Sequence, residues 1–224
     1  MATLVVRTKL LNNIEKFLDD YPQMSTVPYT GDGICLRGNF RFKAIGSENE
    51  ELEGNYKIEI IVPKDFPDEL PSVKELAEKI THETANGHLF LDNSLCLGSP
   101  LRLKKLLHQN PNLSSFASKC LVPFFYAVSH KMKKGGDLVF GELEHGNKGI
   151  VDDYIDLFGL KDHGQVVEAL QLLGMKKRFA NKKLCPCGCG KRLGVCSFHI
   201  KLNEFRCLAS TSWFRTHAQR AGRN

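Results

Sequence analysis

The stretch YKIEIIVPKDFPDELP, residues 56–71, decides the fold. Tyr56, Ile58, Ile60 and Val62 recur at every second position, the period of a strand with one buried face. Pro63, Pro67 and Pro71 then remove amide donors that a ladder needs, so the strand must give way to extended chain that cannot continue the sheet. Upstream, residues 31–38 and 39–46 read as two short strands, with Ile34, Leu36, Phe40, Phe42 and Ala44 in alternation and Gly38-Asn39 as a tight hairpin turn. The acidic segment 47–54 is a turn into the Tyr56 strand. Downstream, residues 72–80 carry Val73, Leu76, Ala77 and Ile80, a composition that serves a fourth strand or a helix. An antiparallel meander follows. Before it, Leu10, Leu11, Ile14, Phe17 and Leu18 give helical spacing over residues 3–21, ended by Tyr21-Pro22.

Residues 86–100, NGHLFLDNSLCLGSP, place Cys96 between Leu95 and Leu97, three residues after Asn93 and eight after His88, and close on the turn-forming Gly98, Ser99 and Pro100. Judged alone, a cysteine between leucines is a small buried hydrophobe as readily as a nucleophile. The upstream segment supplies context. Tyr56, Ile60, Pro63, Phe66, Pro67 and Pro71, followed by Leu95, Cys96 and Leu97, resemble the ubiquitin-conjugating enzyme (UBC) family, where a strand of the type Y-x-x-x-I-x-x-P-x-x-[YF]-P-x-x-x-P runs into a loop ending in a catalytic cysteine.

That resemblance implies an α+β, UBC-like fold: an antiparallel four-stranded meander with an N-terminal helix and C-terminal helices. It also implies that Cys96 carries the C-terminus of a partner protein as a thioester and passes it to an amine. The His-Pro-Asn triplet that most eukaryotic members carry before the cysteine is missing. Only His88 has a counterpart, as a positioning or proton-transfer residue or as a loop support, and the oxyanion donor is either Asn93 or backbone N–H groups near Leu97 and Gly98. The runs HLFLDNSLCLGSPLRL and GELEHGNKGIVDDY resemble bacterial relatives from antiphage signalling operons of the CBASS type. This implies a cargo of the CD-NTase nucleotide-cyclase kind and an activating enzyme on another chain, since no phosphate loop for adenylation is present. The alternative is an inactive relative serving as a binding module.

After Pro100 the sequence predicts a short basic helix over 101–108 and a long one over 113–132. Phe116, Leu121, Phe124, Phe125, Val128 and Met132 stripe the long helix, and Pro123 lies in a first turn or at a kink. Gly135-Gly136 breaks it. Further helices are expected over 149–158 and 162–173, with Gly174 as a cap, and His145 is loop-borne. The domains expected are 1–160, conjugating; 161–180, helix and basic linker; and 181–224, a zinc-binding tail.

The 224 residues are 42% hydrophobic, enough for a sizeable core, and no apolar run approaches membrane-spanning length, so a cytoplasmic protein is expected. The net charge of +6 is unevenly spread. Residues 176–224 hold twelve of the 31 basic residues and one of the 25 acids, Glu204, so the tail is strongly cationic and the remainder net acidic. Four of the eight cysteines fall in the tail segment CPCGCGKRLGVCSFH, where Cys185, Cys187, Cys196 and His199 form C-x-C-x8-C-x2-H. Two close thiolates, a glycine-rich turn and a second close pair suit a structural Zn2+. The segment resembles the SEC-C motif of the bacterial translocase SecA, C-P-C-G-S-G-K followed by C-H or C-C. In that pattern Cys189 stands at the serine and is the spare thiol. Beyond it, Leu202, Phe205, Leu208, Trp213 and Phe214 among basic residues read as a helix packed on its own domain, as a docking surface for a protein, or as a nucleic-acid surface.

Overall fold

In a computed structural model, the structure describes residues 2–46, 49–85, 88–136, 138 and 146–223, with side chains from Thr8 onward. His145 lies outside the described residues. Helix α1 (Ala2–Asp20) precedes strands β1 (Met24–Val27), β2 (Gly33–Ile45), β3 (Glu51–Pro63) and β4 (Ser72–Glu75), which form one antiparallel sheet in the order β1-β2-β3-β4. The helices that follow are α2 (Pro100–Gln109), α3 (Leu113–Phe116), α4 (Val122–Lys134), α5 (Gly146–Phe158), α6 (His163–Leu173), α7 (Lys177–Ala180), α8 (Phe198–Arg206) and α9 (Thr211–Ala221).

The alternation in residues 56–62 does what its period implies: Tyr56, Ile58, Ile60 and Val62 are all buried. The expected hairpin at Gly38-Asn39 is corrected. β2 runs unbroken through both residues, and the first strand is instead Met24–Val27. Gly38 is present because β1 enters there. With φ of 156°, its added Cβ would lie 2.1 Å from the Gln23 carbonyl oxygen and 2.7 Å from Met24 Cα. Only β4's four residues of the segment 72–80 are strand. Beyond them the Glu75 carboxylate accepts from the amides of Ala77 and Lys79 and turns the chain away.

The chain divides into two compact units, Met1–Gly98 with Leu106–Glu142, and Ser99–Lys105 with Leu143–Asn224, so the sequence-based boundary at 160 falls inside the second. In the first, Phe116, Leu121, Phe125 and Val128 of the long helix's stripe are core, whereas Phe124 is half-buried and Met132 half-exposed. Phe125 stacks on Tyr56 with centroids 4.5 Å apart and faces Phe40 at 5.6 Å, while the buried Tyr56 hydroxyl meets Ser129 Oγ at 2.7 Å. A π turn at Ala117–Leu121 separates α3 from α4, and Pro123 sits in the first turn of α4, where its missing N–H costs nothing.

In the second unit, Tyr154, Phe158, Leu170, Phe205 and Phe214 share one core with Leu101. A buried polar cluster crosses it. Asp153, 3% exposed, accepts from Ser99 Oγ and from Arg102 Nε at 2.7 Å, and Arg102 reaches Asp156 at 2.8 Å. Arg206 donates to the carbonyls of Leu172 and Met175 at 3.1 and 3.0 Å, closing the C-terminal end of α6. Among the described residues no helix is long and apolar enough to cross a membrane.

Candidate functional site

Cys96 sits at the base of a miniature hairpin laid against β4. The Leu95 amide donates to the Val73 carbonyl at 2.8 Å, and Ser94 bridges Lys74, so the segment extends the outer edge of the sheet. Across the hairpin, Leu89 bridges Leu95, Phe90 N–H donates to Ser94 O at 2.8 Å and Cys96 N–H to His88 O at 2.9 Å. The corner is a four-residue turn closed by Asn93 N–H to Phe90 O at 2.9 Å, with Asn93 at φ of 62°. Asparagine tolerates that left-handed conformation, and this is the local reason for its type.

Asp92 locks the corner. Its carboxylate accepts from Ser94 Oγ at 2.6 Å and Ser94 N at 3.1 Å and pairs with Lys74 at 3.2 Å. Those bonds, led by the Ser94 hydroxyl, hold the carboxyl down at about 2. Phe90 is half-exposed and Leu91 fully exposed at the tip.

His88 and Cys96 are thus brought face to face through their backbones, and both side chains are half-buried. Asn93 occupies the far corner with an exposed side chain. Burial pushes the Cys96 thiol up, against one opposing influence, the Gly98 N–H directed at its sulfur. Burial therefore favours the neutral thiol over the thiolate more than in a free cysteine. Sequence reasoning missed the Asp92–Ser94–Lys74 support, although Asp-Asn-Ser before a buried leucine carries the signature of an Asx turn.

A second site lies in the other unit. Two short arms, joined by Cys185 N–H to Lys191 O at 2.9 Å, Leu193 N–H to Lys183 O at 2.8 Å and a Leu184–Arg192 bridge, carry a turn containing Gly188 and Gly190 at φ of 78° and 72°. The turn and the end of the following 3-10 segment (Leu193–Val195) gather the sulfurs of Cys185, Cys187, Cys189 and Cys196 within 4.8 Å of one another. Cys185 and Cys187 sulfurs are 3.2 Å apart, and Cys187 and Cys196 sulfurs 3.7 Å. A tetrahedron with Zn–S arms of ~2.3 Å has edges of about 3.8 Å, so the cluster is compatible with zinc.

The backbone agrees with thiolate ligands. The N–H groups of Cys187, Lys191 and Phe198 point at the sulfurs of Cys185, Cys189 and Cys196, each from two residues downstream. The Phe198 N–H bond is the first cause that draws the Cys196 thiol down to about 7, whereas burial pushes Cys185 up.

The expected ligand set is corrected at one place. Cys189 joins Cys185, Cys187 and Cys196 in the converging group and His199 is not among its four members; the His199 Nδ1 lies 2.6 Å from the Cys196 carbonyl oxygen at the start of α8. The left-handed glycines on both sides of Cys189 turn its sulfur inward, which spacing alone does not reveal. Compared with family models, with curated proteins and with solved structures, the chain matches none of them.

Proposed function

We propose that this chain is an acyl-transfer enzyme of the ubiquitin-conjugating type, carrying a partner protein's C-terminus as a thioester on Cys96. The observation that carries the reading is the position of Cys96. The order helix, four-stranded meander, cysteine hairpin, helices sets one half-buried thiol on the outer edge of β4, with a backbone N–H aimed at its sulfur.

A base supplied at docking removes the Cys96 proton, and Sγ attacks the carbonyl carbon of an acyl adenylate or thioester on an activating enzyme. The new C–S bond forms as the bond to AMP or to the carrier sulfur breaks and that group leaves. An acceptor amine then attacks the thioester carbon, the tetrahedral oxyanion collapses, the C–S bond breaks, and the amine proton leaves as the amide forms. Of the oxyanion donors considered, the Gly98 N–H is the better placed, because it already addresses the sulfur, while Asn93 serves the turn. His88 is a positioning residue whose carbonyl holds the Cys96 amide.

The four-cysteine cluster is a structural zinc site in this reading: four protein ligands leave no open position for water. A cargo of the CD-NTase kind and an antiphage operon rest on the motif resemblance, and a cytoplasmic setting on the lack of a membrane-length apolar run in the sequence. Mass spectrometry without reductant tests the reading on protein recovered with its operon neighbours. A thiol-labile adduct on the wild type, a hydroxylamine-labile ester on Cys96→Ser and no adduct on Cys96→Ala are expected. Three bare proteins with partners still bound would leave the binding module as the better reading.

A further inference from the structure

The cysteine cluster is flanked by cations that form no ion pair among the described residues. Between Glu168 and Glu204 the sequence contains no acid and eight basic residues. Seven of them are exposed within residues 176–192: Lys176, Lys177 and Arg178 at α7, then Lys182, Lys183, Lys191 and Arg192 on the two arms of the hairpin. None is part of an ion pair among the described residues.

The arms hold these charges together. Lys183 O accepts from Leu193 N–H and Lys191 O from Cys185 N–H, so residues six to ten apart in sequence lie on adjacent arms. Like charges so placed repel one another, and the fold tolerates them where water or a polyanion covers them.

A planar platform lies beside them. Phe179 is half-exposed, with the Arg178 guanidinium 4.7 Å from its ring centroid, and its carbonyl accepts from the Lys182 amide at the start of the first arm. An exposed aromatic next to a linear array of cations offers a face on which an unpaired base stacks while the cations follow the phosphates. A duplex keeps its bases stacked on one another and gains nothing from that face.

We infer that residues 176–192, α7 and the cysteine hairpin, form a binding surface for single-stranded nucleic acid, read by backbone charge and base stacking rather than by sequence. The surface is independent of Cys96. It gives the chain a second activity, holding a single-stranded polyanion, whatever the thiol does.

The test uses the full chain and a fluorescein-labelled 20-nucleotide oligouridylate, with anisotropy followed from 50 to 200 mM NaCl. If seven phosphates are neutralised, the slope of log K against log salt is about −5 and affinity falls about 10³-fold across that range. Replacing Lys182, Lys183, Lys191 and Arg192 together with glutamine brings the slope to about −2. Phe179→Ala weakens binding about fivefold or more at an unchanged slope, and Cys96→Ala binds as the wild type does. Absence of binding at 50 mM salt, or a slope unmoved by the fourfold variant, overturns the proposal. So does polyglutamate competing as well as oligouridylate with no effect of Phe179→Ala, which would assign the surface to an acidic protein.

Discussion

The ligand set of the cysteine cluster separates two substitutions that the spacing of residues treats in the opposite way. In the structure Cys189→Ser removes one of four converging sulfurs, and His199→Gln removes only a contact to the Cys196 carbonyl. Structural zinc sites bind with apparent free energies of about 10–16 kcal/mol, so a quarter share is about 2.5–4 kcal/mol, or roughly 10²–10³-fold in affinity. Little else holds the hairpin. Cys185 and Leu193 are its buried side chains among the residues that form the core, and its arms are joined by a few backbone bonds. With zinc bound at the cluster, its loss is expected to melt the hairpin, while His199→Gln is expected to cost about 1 kcal/mol, the value of one hydrogen bond.

The assay is zinc content per chain after dialysis against a graded chelator series, followed by thermal unfolding with and without added zinc. Cys189→Ser is expected to lose zinc at roughly 10²-fold less chelator than wild type and to regain stability when zinc is restored in excess. His199→Gln is expected to hold zinc as wild type does. Retention by Cys189→Ser together with loss by His199→Gln would refute the assignment and restore the C-x-C-x8-C-x2-H set.

Gly38→Ala forces a Cβ into the backbone of Gln23 and Met24, so β1 must separate from β2; about 3 kcal/mol or more of destabilisation is expected in urea unfolding, and a cost below 1 kcal/mol would contradict the close approach. Asp153→Ala leaves the buried Ser99 hydroxyl without its acceptor and Arg102 without its inner partner, a loss of about 2–3 kcal/mol, below the fully buried case because Arg102 is half-exposed. The Cys96 thiol, raised by burial, should alkylate with iodoacetamide at a rate that rises with pH through a midpoint above that of glutathione, read peptide by peptide in the mass spectrometer. A midpoint below glutathione would mean that something beyond the Gly98 N–H stabilises the thiolate.

Period and punctuation in the sequence were enough for the elements whose cause is local. The two-residue alternation of 56–62 made β3, the aromatic stripe of 113–132 made the helix that covers the sheet, and Asp162 before an apolar repeat capped α6 by accepting from Gln165 N–H. The clustering of sulfurs was legible as well, since C-x-C and a third cysteine nine residues on cannot reach far apart.

Partners distant in the chain decided the rest. Gly38 has the same local chemistry in a turn as beside another backbone, and only the arrival of β1 selected the second. Asn93 offered an amide to Cys96 on paper, and the hairpin used its left-handed backbone instead. Between Cys189 and His199 the number of ligating residues could not choose. The choice came from the fold, in which Cys189 lies between two left-handed glycines with its sulfur among the other three. Spacing along a chain limits which side chains can meet, but the direction in which each points is set by backbone dihedrals and packing that only the folded molecule possesses.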